Sequence, residues 1–138
     1  MRLVLSKSHL VQIEREVRAA NLRECCGLIE GVRETNALRA VTLHPTRNMS
    51  SAYDAFEIDP AEQFRLLRGL RGTGRGLIGC YHSHPGTSSL EPSARDRAAA
   101  AERDFVWLIT GIRNARTEVA GFLWRELEFH PLAIIYGE

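Results

Sequence analysis

One segment in the middle of the chain constrains the fold more than any other, because a strand, a proline and a capped helix follow one another there at close spacing. The run from Gly76 to His84 predicts a strand, and Pro85 ends it. Ser93 predicts the N-cap of an alanine-rich helix that extends to about Glu102. The loop Pro85–Pro92 is short, so we expect the start of this helix to lie beside the end of the strand.

Apolar runs elsewhere predict a set of short strands. They cover Leu3–Leu5, Cys25–Ile29 closed by Gly31, Ala37–Leu43 stopped by Pro45, Phe56–Ile58, Phe105–Thr110, Glu118–Trp124 and Glu126–Pro131, with the last two forming a hairpin. The stretch between the third and fourth of these strands is polar and predicts a loop.

Two more helices are predicted. The first is capped by Ser6 or Ser8 and ends at Asn21, with an apolar face of Leu10, Ile13, Val17 and Ala20. The second begins at Asp59-Pro60, where aspartate caps and proline suits the first helical position. Its predicted buried face is Phe64, Leu67 and Leu70. Helices and strands alternate irregularly, which predicts an α+β or mixed α/β fold rather than regular βαβ winding.

Length and composition exclude several classes of protein. A chain of 138 residues is typical of one domain. A formal net charge of +1 gives no electrostatic argument for binding nucleic acid or membrane, and no apolar run approaches the ~20 residues of a membrane helix. Three cysteines, an odd number, argue against a disulfide framework, so we expect a cytoplasmic protein.

Two histidines at the end of the central strand form a candidate metal-binding pair. His82 and His84 are two residues apart, so in a strand they project from the same face, roughly 6–7 Å apart along the backbone. Their ring nitrogens can then meet on one zinc ion at about 2.0–2.1 Å. The pair alone is more typical of two histidines on a polar sheet face, so the metal interpretation needs a further residue.

Asp96 supplies that residue. It lies in the first turn of the helix that Ser93 caps, and the short loop brings this turn to the end of the strand. Two histidines and one carboxylate form a known catalytic zinc set that leaves the fourth position for water. An acid three residues after a capping serine is also a common helix start, favoured by the helix dipole, and this alternative stays open.

Two other side chains have more than one interpretation. Glu24 precedes the apolar run Cys25–Ile29, where a carboxylate needs a partner or a chemical function, but an exposed turn residue paired with an arginine fits equally well. Cys80 shares the strand face of the two histidines. It would lie about 13 Å from His84 at ~3.3 Å per residue, so we interpret Cys80 as a core residue.

Together these residues resemble the JAMM (MPN-plus, Mov34/PAD-1) metalloprotease family in its compact prokaryotic form. The family pattern is an upstream glutamate, then His-Ser/Thr-His-Pro, then Ser-x-x-Asp. Here it is matched by Glu24, His82-Ser83-His84-Pro85 and Ser93-Ala94-Arg95-Asp96. The similarity also covers the segments 24–31, 56–60, 105–109 and 118–124, which is essentially the whole chain.

The resemblance implies a single MPN/JAMM-like domain over residues 1–138, a cytidine-deaminase-like sheet flanked by helices. It also implies a role for each matching residue. The implied Zn²⁺ ligands are His82, His84 and Asp96. Glu24 would be the general base, and Ser93 would polarise the scissile carbonyl or steady its oxyanion. Asn48 is similar to a family asparagine near the cleft, and it is a candidate substrate-binding residue.

The implied function is that of a zinc-dependent metallopeptidase or isopeptidase. It would cleave an extended C-terminal peptide, such as the tail of a ubiquitin-like or sulfur-carrier protein, to expose a Gly-Gly end. The substrate is expected to lie beside an exposed strand near the metal. A non-catalytic MPN scaffold module is the alternative, although those modules lose ligands that this chain keeps. A zinc deaminase is excluded because the chain has no Cys-x-x-Cys motif.

The sequence departs from the family pattern in one respect. Eight residues, Pro85–Pro92, separate His84 from Ser93, where the family usually has seven. We expect the loop to absorb the extra residue, because Gly86 and two serines allow it, and the spacing from Ser93 to Asp96 is unchanged.

Overall fold

The computed structural model describes residues 1–86 and 89–137, and within these ranges seven strands form one sheet that closes on itself. In chain order the elements are β1 (Arg2–Ser6), α1 (Lys7–Ala20), β2 (Cys26–Arg33), β3 (Ala37–Thr46), α2 (Pro60–Gly69), β4 (Gly76–Ser83), α3 (Ala94–Ala99), β5 (Phe105–Arg113), β6 (Arg116–Arg125) and β7 (Glu128–Gly137).

The strand order around the sheet is β1-β3-β2-β4-β5-β6-β7, and closure comes from β1, which pairs in parallel with both β3 and β7. The β4–β5 pair is also parallel, whereas β2–β3, β2–β4, β5–β6 and β6–β7 are antiparallel. The predicted mixed α/β class is therefore confirmed in general. The sequence pattern predicted a sheet flanked by helices and did not predict that the sheet closes into a barrel.

Two apolar layers stabilise the sheet, one on each face. The first packs Ile13 and Val17 of α1 against strand residues that include Leu3 and Leu108. The second packs Leu66 of α2 against the other face. Strand β4 lies between the layers and is buried on both faces, because alternate residues such as Cys80 and Tyr81 point in opposite directions.

Helix α1 forms as predicted and leads the chain into the candidate site. Ser6 is the N-cap: its hydroxyl accepts from the His9 backbone N–H, and the His9 ring accepts from the Ser6 N–H. Asn21 ends the helix in a positive-φ conformation. The residues after it carry the chain to Glu24, immediately before β2.

Several predicted strand ends were too early, and one predicted strand is absent. Strand β5 continues past Thr110 to Arg113, and β7 continues past Pro131 to Gly137. Strand β2 runs through Gly31 to Arg33, and β3 runs through Pro45 to Thr46. Beyond Arg39, β3 is paired with β2 but not with β1, so proline can be accommodated at an edge where no second neighbour needs its N–H. The predicted strand Phe56–Ile58 is absent. A single bridge between Asn48 and Ile58 takes its place.

Two predictions about helices were also wrong. Of the predicted buried face of α2, Leu70 is partly buried against the apolar layer, but Phe64 and Leu67 are 56% and 46% exposed, and the buried residue of the helix is Leu66. Helix α3 ends at Ala99 instead of about Glu102, because Ala100 already has an extended conformation. Its alanines favour helix but offer few large apolar side chains to bury.

The carboxyl end of β4 is where the fold brings the candidate residues together. Strand β4 is paired with β2 on one side and β5 on the other, so the expected exposed strand edge is not available along β4 itself. Part of the loop Pro85–Pro92 lies outside the described residues, namely Thr87 and Ser88. In the described part of the chain, no helix is long and apolar enough to span a membrane.

Candidate functional site

Three side chains predicted to ligate a metal meet at the end of β4. The Nε2 atoms of His82 and His84 are 3.0 Å apart. Asp96 faces both rings, with Oδ1 3.1 Å from His82 Nε2 and Oδ2 3.2 Å from His84 Nε2. In the described part of the chain these three residues form a group that could hold a metal ion.

The spacing and the donor types of this triangle fit zinc. Ligands at about 2.0–2.1 Å from a tetrahedral zinc ion lie about 3.3 Å from one another. The two Nε2 atoms are 3.0 Å apart, and each lies 3.1 or 3.2 Å from one of the two Asp96 oxygens. Two imidazole nitrogens and one carboxylate oxygen also form a set known from catalytic zinc sites, which keep a fourth position open. The residues present therefore fit the metal that the sequence pattern predicted.

Backbone and side-chain hydrogen bonds join the histidine strand to the segment that carries Glu24. The Ser83 N–H donates to the Cys25 carbonyl at 3.0 Å, and the Ser83 hydroxyl accepts from the Cys25 N–H at 2.9 Å. The ladder between β2 and β4 is thus extended past its last regular pair, Cys26 with His82. The serine of the His-Ser-His sequence is buried and joins the backbone of Cys25, next to Glu24, to the histidine segment.

Asp96 is held by the start of α3. The Ser93 hydroxyl accepts from the Asp96 N–H at 3.0 Å, and Asp96 Oδ2 accepts from the Ser93 N–H at 2.8 Å. Asp96 therefore closes a capping box, as the helix-start alternative predicted, and it also faces the two histidines, while its role as a metal ligand stays a prediction. The loop Pro85–Pro92 brings this helix start to the end of β4, as predicted.

The pKa shifts of Asp96 and His82 favour metal binding, whereas the pKa of His84 is raised, because burial lowers it less than the neighbouring Asp96 carboxylate raises it. Burial raises the pKa of Asp96, but hydrogen bonds from His82 and His84 outweigh it and hold that pKa below its ordinary value. Burial lowers the pKa of His82 despite the neighbouring carboxylate. A charged carboxylate beside a neutral imidazole is the combination that a metal ion requires.

Glu24 is buried but has no ion-pair or side-chain hydrogen-bond partner among the described residues, although only 6% of it is exposed. Glu30 is equally buried, but its carboxylate is bonded to His44, at 2.8 Å, and to Arg75. Burial raises the pKa of Glu24 from 4.5 to about 7, against an opposing effect of His84. Of the two alternatives, the exposed turn residue paired with an arginine is wrong.

A cleft of about 600 Å³ brings two further candidate residues, Glu24 and Ser93, together with His84. It is lined by Glu24, His84 and Ser93, together with Leu22, Tyr53, Asp54, Pro85, Ser89, Glu91, Pro92, Ala94 and Arg95. Leu22 and Tyr53 are 69% and 65% exposed, and the Arg23 guanidinium lies over the Tyr53 ring at 5.1 Å. The sequence analysis did not single out these apolar residues, because one exposed apolar residue in a loop carries no pattern.

Asn48 does not line this cleft; its side chain is occupied by the backbone of its own chain. Its amide nitrogen donates to the carbonyls of Glu24 and Ala55, each at 3.0 Å. Its amide oxygen accepts from the N–H groups of Ser50 and Glu57, at 2.9 and 3.0 Å. Substrate binding by Asn48 stays a prediction, and the contacts observed are those of a residue that organises a loop.

The sequence analysis missed two aromatic residues that surround His82. The Phe56 ring is stacked on the His82 ring with centroids 4.1 Å apart and 19° between the planes. Trp107 approaches the same imidazole edge-on at 5.9 Å. The sequence places Trp107 in a strand but gives no sign that its ring would meet a histidine. Cys80 lies in the apolar layer next to them, so its interpretation as a core residue is confirmed.

Comparison with known protein sequences finds similarity over most of the chain. A family model described as prokaryotic homologs of the JAB domain matches residues 6–126. A desampylase from Haloferax volcanii is 34% identical over 112 residues, which are 80% of this chain and 76% of that protein. A histone deubiquitinase from Branchiostoma floridae, MYSM1, is 36% identical over 75 residues, covering 53% of this chain and 9% of that protein.

Solved structures have the same fold. A protein from Desulfitobacterium hafniense, solved in solution, superimposes with a TM-score of 0.87 at 27% identity, covering 99% of this chain and 93% of that one. A protein from Salinibacter ruber gives a TM-score of 0.70 at 23% identity, covering 100% of this chain and 92% of that one. The second similarity concerns the fold alone.

Proposed function

This chain belongs to the family of prokaryotic homologs of the JAB domain, and from that premise we propose that it is a zinc-dependent metallopeptidase of the JAMM type. Residues 1–138 would form one catalytic domain that cleaves an extended C-terminal peptide of a ubiquitin-like protein. The observation that supports this best is Glu24, a buried carboxylate without a partner among the described residues. It opens into the same cleft as His84 and Ser93.

His82, His84 and Asp96 would hold the zinc ion. When bound, zinc polarises a carbonyl group and lowers the pKa of water toward ~7. The protein contributes a fixed set of donors, because His82 lies in β4, His84 directly follows its last residue, and the capped start of α3 holds the carboxylate.

Glu24 would be the general base and then the general acid. Burial favours its neutral form, so the carboxylate takes a proton from water readily and can return it to the leaving amine. A base whose pKa lies near neutral pH is suited to both steps. The Asn48 bond to its carbonyl and the Ser83 bond beside it hold the backbone of this residue in place.

Ser93 would donate a hydrogen bond to the carbonyl oxygen of the substrate. Its hydroxyl oxygen already accepts from the Asp96 N–H, which orients the side chain and leaves the hydroxyl hydrogen for a second partner. A fixed donor directed at the oxygen where negative charge develops is an effective form of electrostatic stabilisation.

The substrate would be an extended peptide lying across the cleft. The two sequence relatives are a desampylase and a histone deubiquitinase, which favours a ubiquitin-like protein as the substrate. Because β4 is paired on both sides, the peptide would lie between the loop around Tyr53 and the start of α3 instead of pairing with β4. The substrate would be the tail of a ubiquitin-like or sulfur-carrier protein, cut to expose Gly-Gly. Glycines at the cut would let the peptide backbone approach the zinc ligands closely, because they carry no side chains.

Metal content and cleavage of a defined substrate test the proposal together. We expect about one zinc per chain by elemental analysis, and loss of zinc in the double variant His82→Ala/His84→Ala. A ubiquitin-like protein with a peptide after its Gly-Gly should be cut at that point, as judged by mass spectrometry. Glu24→Gln should keep the zinc but slow cleavage by ~10²–10⁴-fold, because glutamine cannot take up the proton.

The double variant His9→Ala/His130→Ala is the matched control, because it removes two histidines that lie outside the candidate site. It should keep both zinc and activity. Equal zinc in the two double variants would refute the ligand assignment. Zinc binding without cleavage of any tail would favour the alternative, a non-catalytic MPN scaffold module.

A further inference from the structure

The imidazole of His82 lacks the hydrogen bond that usually orients a metal-binding histidine. Its Nε2 faces His84 and Asp96, while its Nδ1 is buried without a hydrogen-bond partner in the described part of the chain. In most metal sites the second ring nitrogen donates to a carbonyl or carboxylate, and that bond fixes the ring plane. Another contact must hold this ring.

Phe56 makes that contact. Its ring lies nearly parallel to the imidazole, with a centroid separation of 4.1 Å and an angle of 19°. Trp107 meets both rings edge-on, at 5.7 Å from Phe56 and 5.9 Å from His82. Rotation of the imidazole about its Cβ–Cγ bond would break the stacking and drive the ring into its neighbours. The stacking therefore fixes the plane of the imidazole ring, and with it the direction in which Nε2 points toward His84 and Asp96.

The position of Phe56 is set by the side chain of Asn48. Phe56 lies in a loop, where no strand ladder holds it. The Asn48 amide bonds the backbone on both sides of it, accepting from the Glu57 N–H and donating to the Ala55 carbonyl. The same amide donates to the carbonyl of Glu24. One asparagine thus connects the residue stacked on His82 with the backbone of the buried carboxylate.

We propose that Phe56, held in place by Asn48, is the positioning residue for His82, and that it orients the metal ligand by ring stacking in place of a hydrogen bond. This inference rests on the proposed zinc site. It gives Asn48 a role different from substrate binding, because the Asn48 amide holds the backbone of the loop around Phe56 and the carbonyl of Glu24. It also explains why a phenylalanine is partly buried beside a polar site.

Zinc affinity of two matched variants tests the inference. Phe56→Leu removes the ring stacked on His82. Phe129→Leu removes a partly buried ring from the same apolar layer, one that contacts Trp107 at 5.4 Å but not His82. Competition with a chromophoric zinc chelator should show a ~10–100-fold loss of affinity for Phe56→Leu, the usual effect of removing a ligand's outer partner, and none for Phe129→Leu.

A conservative variant separates orientation of the ring from general packing. Phe56→Tyr keeps the stacked ring and should bind zinc within a few-fold of the wild type. Asn48→Ala should shift affinity in the same direction as Phe56→Leu. Urea unfolding of the metal-free proteins should show similar losses of stability for the two leucine variants, which makes them comparable.

Each outcome has one meaning. Equal zinc affinity for Phe56→Leu and Phe129→Leu would overturn the inference while the zinc site stood. A wild-type protein that bound no zinc would overturn the proposed function and this inference with it. Zinc binding that depends on Phe56, in a protein that cleaves no tail, would support the inference and refute only the peptidase activity.

Discussion

At the scale of single residues, burial and charge conflict at Glu24. A carboxylate removed from water without a partner is destabilising in its charged form, and the folded protein responds by holding the proton more tightly. Glu30 shows the alternative, because its bonds to His44 and Arg75 lower the pKa of its carboxyl although burial raises it. Two glutamates with the same exposed fraction thus have pKa values shifted in opposite directions.

The first prediction concerns pH and the stability of the metal-free protein. The pKa of Glu24 is about 7 in the folded state and about 4.5 in the unfolded chain, so between these values the folded state binds more protons. Stability therefore falls as pH rises through this window. Chelator-treated Glu24→Gln should be more stable than the wild type at pH 8, with the difference shrinking as pH falls and vanishing below about pH 4.5.

Urea unfolding from pH 4 to pH 8 is the measurement, and Glu126→Gln is the control, at an exposed glutamate whose side chain has no ion pair among the described residues. The control should follow the wild-type curve closely at every pH. A Glu24→Gln protein less stable than the wild type at pH 8 would mean that the carboxylate has a favourable partner in solution.

Single residues also show the limits of the sequence. The residues that match the family pattern could be predicted to meet because their order and spacing are specific. The roles of Phe56 and Asn48 could not be predicted, because both depend on contacts made across the fold. The segment that contains Phe56 was predicted to be a strand, but it is a loop. The Asn48 side chain that holds this loop also bonds the carbonyl of Glu24, 24 positions away in sequence.

At the scale of elements, two helices begin with the same device and serve different purposes. Ser6 caps α1 and Ser93 caps α3, and in both cases the residue at N3 completes a capping box. Helix α1 is 14 residues long, and its capped end lies opposite the end that leads to the cleft. Helix α3 has only six residues, and its capped end lines the cleft.

The second prediction compares these caps. Ser6→Ala and Ser93→Ala should each cost about 1 kcal/mol of unfolding free energy, since each removes one side-chain acceptor from a helix start. Ser93→Ala should also slow turnover by ~10²-fold or more, because it removes the donor to the substrate carbonyl. Ser6→Ala should leave turnover unchanged. Thermal unfolding and cleavage rates are measured on the same preparations. If Ser93 acts only as a cap, both variants lose stability and neither loses turnover.

The positions of the elements could be predicted better than their ends or their buried faces. Every strand of the sheet was predicted near its observed place because apolar runs are strong signals. The predicted buried face of α2 was wrong in part, because Leu66 and Leu67 are adjacent and the choice between them depends on how the helix meets the sheet. Pro45 did not end β3, because a proline is tolerated where a strand lacks one neighbour.

At the scale of the whole molecule, closure of the sheet depends on its shortest strand. Strand β1 has five residues, and it is paired with β3 on one side and β7 on the other. Leu3 and Leu5 are fully buried. A pairing between the two ends of a chain leaves no mark in local sequence patterns, which is why the barrel could not be predicted.

The third prediction tests whether this closure stabilises the fold as a whole. Val4→Pro removes an N–H from a strand with neighbours on both sides, and the unsatisfied carbonyl alone should cost about 1–3 kcal/mol. Lys7→Pro places proline at the first position of α1, after a residue that is already extended, and should be nearly neutral. Denaturant unfolding distinguishes the two, and equal midpoints would mean that β1 contributes little.

The same pairing has a consequence for the order in which the protein folds. The β1–β7 ladder joins Arg2 to Ala133, so it cannot form until all the other strands of the sheet have been synthesised. The hairpins β5–β6 and β6–β7 link neighbours in sequence and can form early, whereas this contact must wait for the largest loop closure in the molecule. Strand β1, which comes before the other strands of this sheet in sequence, is therefore among the last to find all of its partners.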